Sequence, residues 1–240
     1  MKKFIIDKEV FDILPDLNAG VLVLKNVKEN KKMNAIQDKE IKELLSNANK
    51  EAIKYVPNET ISENEVVKVW RDTYNKFPTK KGARCSLENL LKRVLHGNPV
   101  GSILPSVDIT NAISLKYAFP IGAEDVDKLE GDLHLGIMNG DEKFLPIGSE
   151  EEESPLKGEI AYRDDFGAVC RCLNWRDGIR TEITDNTEYE FIVMECVEKN
   201  RLDDLKIALD ELSGLMCNYL EAQVVIKEIV NIDKNEILIG

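Results

Sequence analysis

The chain has 240 residues, 43% of them hydrophobic, enough to bury a full core without disulfide or metal staples. Its formal net charge of −12 weighs against a protein that coats nucleic acid non-specifically, and its longest apolar stretch, from Gly20 to Leu24, cannot span a membrane. The five cysteines, Cys85, Cys170, Cys172, Cys196 and Cys217, are odd in number and scattered in spacing, and no export signal opens the chain, so the expectation is reduced thiols in a cytoplasmic protein.

In chain order, residues 11–26 read as a strand preceded by a turn, with Pro15-Asp16 and Asn18-Ala19-Gly20 as punctuation and Val21-Leu22-Val23-Leu24 as a short run of buried-strand type. A helix is expected over 34–55, with Ile41, Leu44, Leu45, Ala48 and Ala52 on one face. Ser62 and Glu65 have capping-box spacing ahead of a helix that ends at Tyr74. Ser86 is expected to cap a helix through Leu95 that stops at Gly97. A further helix is expected over 107–117, broken by Pro120 and Gly122. A β-rich half then follows, with strands over 133–138, 159–162, 168–175, 179–184 and 189–197. Leu202, Leu205, Leu209, Leu212, Met216 and Tyr219 recur at helical spacing over 201–220, with Asn200 as the cap, and 224–230 reads as a last strand. The predicted class is α+β, one domain over 1–240 whose core lies at 84–197, with 1–83 and 198–240 completing the same body.

The chain lacks a P-loop, a G-x-G-x-x-G, an H-E-x-x-H and a G-x-S-x-G. The two histidines, His96 and His134, stand beside no evident nucleophile, so structural roles are expected for both. Cys170 and Cys172 would share a face of a strand, but no second Cys/His pair stands near them, and packing is the expectation; no metal and no cofactor are predicted. One local cluster is basic. Lys68, Arg71, Lys76, Lys80, Lys81, Arg84, Lys92 and Arg93 are opposed over that span only by Asp72 and Glu88, with Trp70, Tyr74 and Phe77 interleaved. Such a face can hold phosphates and stack bases; the alternative is a solvated surface over core aromatics.

Two stretches carry a resemblance. Val107-Asp108-Ile109-Thr110-Asn111 matches V-D-x-T-N, and Pro120, Ala123, Asp125, Asp127, Lys128 and Leu129 match P-x-H-A-F-D-x-D-K-[IL] at the right separation. In this order, followed by a strand-rich half, they resemble the B3/B4 domain of the phenylalanyl-tRNA synthetase β subunit, and the whole is most similar to free-standing B3/4 proteins. That domain is an editing module, which hydrolyses the ester of tyrosine wrongly attached to the phenylalanine tRNA. The resemblance implies an RNA-facing domain with a pocket for an aminoacyl group. Its partner would be tRNA or aminoacyl-tRNA, or a free amino acid, and neither DNA nor a membrane. Two departures stand out: the histidine of the pattern falls on Gly122 and its phenylalanine on Glu124. The late glycine-rich loop has no clear counterpart, and Asn174-Trp175-Arg176-Asp177-Gly178 occupies roughly that region.

With these roles, Asp125, Glu159 or Asp164 would position water and accept its proton. Asp108, Asn111, Asp127, Asn174, Arg176 and Thr181 would build the substrate pocket, with Asp108 as a buried support and Arg176 holding a carboxylate or phosphate. Lys80, Lys81, Arg84 and Arg93 would contact RNA phosphates. Two function classes stand: a deacylase of mischarged tRNA acting in trans, and a non-catalytic binding module for an amino acid or small metabolite.

Overall fold

The computed structural model describes residues 1–28 and 33–240. The fold is α+β, as expected, with two sheets and six α-helices among the described residues. One sheet has six strands in the order β10-β1-β4-β5-β6-β7. These are β1 (Lys3–Ile6), β4 (Leu133–Ile137), β5 (Ile160–Arg163), β6 (Ala168–Arg171), β7 (Arg176–Asp177) and β10 (Glu236–Leu238). Only the β1–β4 pair is parallel. The other sheet is antiparallel throughout, in the order β3 (Ile121–Asp125), β8 (Tyr189–Cys196), β2 (Asn18–Lys25), β9 (Gln223–Val230). The helices are α1 (Lys8–Ile13), α2 (Ala35–Glu51), α3 (Glu65–Tyr74), α4 (Ser86–Leu95), α5 (Pro105–Tyr117) and α6 (Leu202–Leu220). Strands from both ends of the chain join these sheets: β1 pairs with β4, and β9 with β2.

β2 and β8 organise the core because both are buried on two faces. Successive side chains on a strand point to opposite sides. Val21, Val23, Phe191 and Val193 therefore pack in the larger apolar cluster with Phe4, Leu135, Ile160 and Tyr162 of the six-stranded sheet. The Phe4 ring bridges the layers, 5.1 Å from the Phe191 ring and 6.0 Å from the Tyr162 ring. Leu22, Leu24, Ile192 and Met194 pack on the opposite side with Ile109 and Ile113 of α5 and Leu205, Leu209, Leu212 and Met216 of α6. Each such leucine or isoleucine contributes about 1.5–3 kcal/mol on full burial.

Local chemistry differs from the sequence expectation at several places. α2 is closed by a capping box, but its cap is Asn34, which accepts from the Ile36 and Gln37 amides at 3.0 and 2.9 Å. The predicted Ser62/Glu65 box is not used: Ser62 lies in a 3₁₀ turn, and Asn64 stands at the start of α3 with its side chain tied to Asn58, Thr60 and Ile61. Cys85, not Ser86, caps α4, its Sγ accepting from the Glu88 amide at 3.4 Å. The expected strand over 168–175 ends at Arg171, because Cys172 and Leu173 turn into the left-handed region (φ 46° and 64°). Cys170 and Cys172 therefore do not share a strand face. The segment expected as a strand over 179–184 is one 3₁₀ turn, Ile179–Thr181. α6 begins after Arg201 rather than Asn200. The strand expected over 11–26 is confined to β2, and Phe11 to Ile13 belong to the unexpected helix α1; β1, β3 and β10 were not expected either, and β3 starts directly after Pro120, where the pattern reads as a break.

Candidate functional site

The carboxylates of the sequence pattern hold loops. Asp125, at the end of β3, accepts from the Asp127 amide at 3.0 Å and from the Thr187 hydroxyl at 2.9 Å. Asp164 accepts from the Glu130, Phe166 and Gly167 amides at 2.7, 3.0 and 3.2 Å, and from Arg180 at 2.7 Å. Glu159 is fully buried and paired with Arg171 through two bonds, at 3.1 and 2.8 Å, while the Leu156 and Cys172 amides donate to it at 2.9 Å each. Burial pushes the Glu159 carboxyl up, but Arg171 and the two amides more than reverse this and leave it below its ordinary value. Asp108 is buried at the start of α5, where it accepts from the Ser102 hydroxyl at 2.5 Å and the Ile103 amide at 2.8 Å; burial raises its pKa. A carboxylate whose lone pairs are filled by the backbone is a poor partner for a catalytic water. These four side chains fix the loops before α5, after β3 and around β5.

The remaining predicted residues divide. Asn111 is half-buried on α5 and Asp127 is exposed. Arg176 is partly exposed, 3.5 Å from Glu153, and alternation along β7 turns it away from the face that Asp177 presents. Thr181 is fully buried, and its hydroxyl faces the Glu124 carboxyl. Asn174 reaches an interior cavity. Its Oδ1 accepts from the Tyr74 hydroxyl at 3.0 Å and its Nδ2 donates to Glu195 at 3.3 Å. Arg176 and Asp125 do not border this cavity.

The cavity lies between the sheets and measures about 10 Å³, room for a single water. From β3 it is faced by Gly122 and Glu124, and from β8 by Phe191, Val193 and Glu195. The opposite wall carries Tyr162 of β5, Cys170 of β6 and Asp177 of β7, the last two directly paired across their strands. The Tyr162 hydroxyl donates to Glu195 at 2.7 Å. Glu124 is 4% exposed, and the buried Thr181 hydroxyl faces its carboxyl. β3 and β7 are the edge strands of their sheets, and Ile121 to Ala123 and Trp175 to Asp177 are only partly buried, so the cavity is nearest to solvent between those edges.

Three carboxyls thus share one enclosed space without a lysine, arginine or histidine on its walls. Burial pushes Glu124 well above its usual range; Asp177 pushes it further, and the Thr181 hydroxyl and Arg180 oppose this only in part. Arg180 is itself committed to Asp164 and to the Lys128 carbonyl. Burial raises Asp177 as well. Glu195 is pushed up to about 7 by burial, against the hydrogen bonds from Tyr162 and Asn174. Sequence reasoning passed over Glu124, Asp177 and Glu195. The signal was present for Glu195, which falls in phase with Phe191 and Val193 on a strand whose inward positions are otherwise apolar.

The predicted basic face is divided. Lys80 pairs with Glu153; Arg84 lies 3.5 Å from Glu88, which also holds Arg71. Lys81 and Arg93 are exposed and make no ion pair among the described residues. Arg93 belongs to a cleft of about 410 Å³ on the outer side of α4, lined by Asn89, Lys92, Arg93, His96 and Asn98. His96 Nδ1 donates to the Lys92 carbonyl at 2.7 Å, and His134 is hydrogen-bonded to Asp7 at 2.7 Å.

Comparison with known proteins points to one family over the middle of the chain. Three phenylalanine–tRNA ligase beta subunits are similar over short stretches. That of Colwellia psychrerythraea is 33% identical over 91 residues, 38% of this chain and 11% of the relative. That of Shewanella oneidensis is 34% identical over 65 residues, 27% and 8% of the two chains, and that of Methylococcus capsulatus 31% identical over 90 residues, 32% and 11%. The similar stretches are thus about a tenth of each relative's length. A crystal structure of an N-terminal fragment of the phenylalanyl-tRNA synthetase beta subunit from Pyrococcus horikoshii aligns with 92% of this chain and 49% of its own, at 12% identity and a TM-score of 0.47. The B3/4 domain profile matches residues 69–212, more than half of the chain, spanning α4, α5, β3 to β8 and the cavity between the sheets, and the chain therefore belongs to the B3/4 domain family.

Proposed function

We propose that this B3/4 protein binds the aminoacyl end of a tRNA along β3, beside the cavity between its sheets, which at about 10 Å³ holds one water and not the aminoacyl group itself. The observation that carries this reading is the position of the Pro120–Leu129 motif. Its first half is β3, and the inward side of β3, Gly122 and Glu124, is a wall of the enclosed polar cavity. Relationship to the phenylalanine–tRNA ligase beta subunits supplies the RNA partner. Hydrolysis of the ester is expected to be weak. No histidine lines the cavity, and the carboxylates first expected to act are committed to backbone amides. Glu195, pushed up to about 7, is the cavity carboxyl best matched to proton transfer near neutral pH.

Gly122→Ala is the direct test. The added methyl would meet Val193 Cγ1 at 3.7 Å, an ordinary contact, so the variant should fold while filling part of the space. The natural protein is expected to bind mischarged aminoacyl-tRNA more tightly than the same tRNA deacylated, and Gly122→Ala to lose that difference in a filter-binding assay. Equal affinity of the natural protein for charged and uncharged tRNA would remove the cavity from the proposal. Preference for free amino acids over any tRNA would favour the second reading, a small-ligand binding module, with which the net charge of −12 agrees.

A further inference from the structure

We infer that the open pocket between the β5–β6 turn and the segment after β7 is a subsite for one unpaired nucleotide of the RNA, its base laid against Phe166 and its phosphate beside Lys143; this deepens the proposed function and rests on its RNA partner. The pocket measures about 200 Å³, and Phe144, Leu145, Phe166 and Ile179 supply apolar walls. At about 30 Å³ of liquid volume for each water, it has room for one ring system and not for a helix of a partner protein. It is open to solvent: Phe166 is 46% and Ile179 42% exposed. Phe166 is nevertheless held in place. Asp164, itself buried, accepts from the Phe166 and Gly167 amides at 3.0 and 3.2 Å and from Arg180 at 2.7 Å. The Arg180 guanidinium lies 4.8 Å from the centre of the Phe166 ring. One carboxylate thus fixes both the turn that carries the ring and the arginine beside it. A ring already fixed at the mouth of a pocket loses little freedom when a second ring packs on it.

Charge narrows the class. Lys143 Nζ lies 5.4 Å from the centre of the same ring, and this exposed lysine forms no ion pair among the described residues. Arg180 is engaged by Asp164 and the Lys128 carbonyl, so Lys143 is the cation that can turn to an incoming anion. An aromatic face with a cation beside it is the combination that holds single strands, since the ring stacks a base and the cation neutralises a phosphate. The carboxylate on the pocket, Glu152, is exposed and suits an exocyclic amine or a ribose hydroxyl, both of which donate. The place also agrees with the proposed path of the RNA. β3 runs on through the 3₁₀ turn Val126–Lys128, and Arg180 joins the Lys128 carbonyl at the end of that turn to the pocket.

Filter binding of unacylated tRNA to the full chain, with the unpaired 3′ CCA end intact or removed, tests the subsite. Phe166→Ala should weaken binding of the intact tRNA at least about fivefold, the lower end for one lost base stack. Phe166→Tyr keeps the ring and should stay within about twofold of the natural chain. Lys143→Gln should weaken binding and reduce the slope of log K against log salt by about 0.7. On tRNA without its CCA end, neither Phe166→Ala nor Lys143→Gln should have a further effect. Melting temperatures report whether the variants fold, and Phe166→Tyr against Phe166→Ala isolates the ring. Equal affinity of Phe166→Ala and the natural chain for intact tRNA would overturn the subsite and leave the Gly122→Ala result on aminoacyl-tRNA as it was. A loss confined to acylated tRNA would overturn it too, because the ring would then meet the amino-acid side chain and not a base. If charged and uncharged tRNA bind equally and Phe166→Ala weakens both, the subsite stands while the aminoacyl group leaves the proposed function. No binding of tRNA at low salt would overturn the subsite together with the RNA partner.

Discussion

At the scale of single residues, the acidic side chains of this chain follow two different designs. Glu159 and Asp164 each accept four hydrogen bonds, including backbone amides and an arginine, whereas the Glu124 carboxyl is faced only by the Thr181 hydroxyl and is held well above its usual range by burial. The Glu159–Arg171 pair is 0% and 2% exposed. Glu159→Gln takes away the buried counter-charge of Arg171 and leaves only the partly exposed Glu153 at 3.7 Å, so up to about 3–5 kcal/mol of stability should be lost in urea unfolding. Adding Arg171→Met to that variant should recover much of the loss, because the remaining charge is then gone too. Asp108→Ala strips the Ser102 hydroxyl and the Ile103 amide of their acceptor and should cost about 1–3 kcal/mol. Asp108→Asn keeps an acceptor and should cost less. If either Asp108 variant abolishes aminoacyl-tRNA binding at unchanged stability, Asp108 touches ligand and is no mere support.

At the scale of elements, β8 couples the core to pH. It holds Glu190 toward α5, where the Ser106 hydroxyl donates to it at 2.6 Å, and Glu195 toward the cavity. Burial pushes both up to about 7. In the unfolded chain a glutamate titrates near about 4.3. The folded state therefore binds protons that the unfolded state has released, and stability is lost as pH rises from about 4.3 through about 7, by up to about 1.4 kcal/mol per pH unit for each group. Urea midpoints taken between pH 5 and 7.5 should fall, and Glu190→Gln should flatten the fall; a stability that rises over this window would refute the assignment. β8 was legible in the sequence from its apolar run Phe191-Ile192-Val193-Met194, as α4, α5 and α6 were legible from their helical period. β3 was not, since Pro120 and Gly122 read as a break, and its five residues become a strand only by pairing with β8 from Ile121–Met194 to Asp125–Glu190. Asp125 and Asp164 looked catalytic for a related reason: a sequence does not disclose which loop amides a carboxylate will take.

At the scale of the whole molecule, an acidic protein is asked to meet a polyanion, and the arrangement of charge decides whether it can. The net charge is −12, yet the outward side of α4 presents Asn89, Lys92, Arg93 and His96 around a cleft of about 410 Å³ whose walls include no carboxylate. At physiological salt, charges more than about 8 Å away are largely screened, so a phosphate at this cleft is governed by its near neighbours rather than by the total. The four cations first expected to face RNA are not equivalent. Lys80 shares Glu153 with Arg176 and Arg84 shares Glu88 with Arg71, whereas Lys81 and Arg93 have no carboxylate partner among the described residues. Lys81→Glu with Arg93→Glu should therefore weaken tRNA binding and reduce the slope of log K against log salt by about 0.7–0.9 for each phosphate that is no longer neutralised. Lys80→Glu should instead disturb the pairing with Glu153 and change the slope little. A slope untouched by the Lys81/Arg93 pair but reduced by Lys80→Glu would move the RNA path off α4 and onto the loop that meets Glu153. No measurable tRNA binding by the natural chain at low salt would leave the α4 cleft as helix-end chemistry alone, with Lys92, Arg93 and His96 set against the negative end of the α4 dipole.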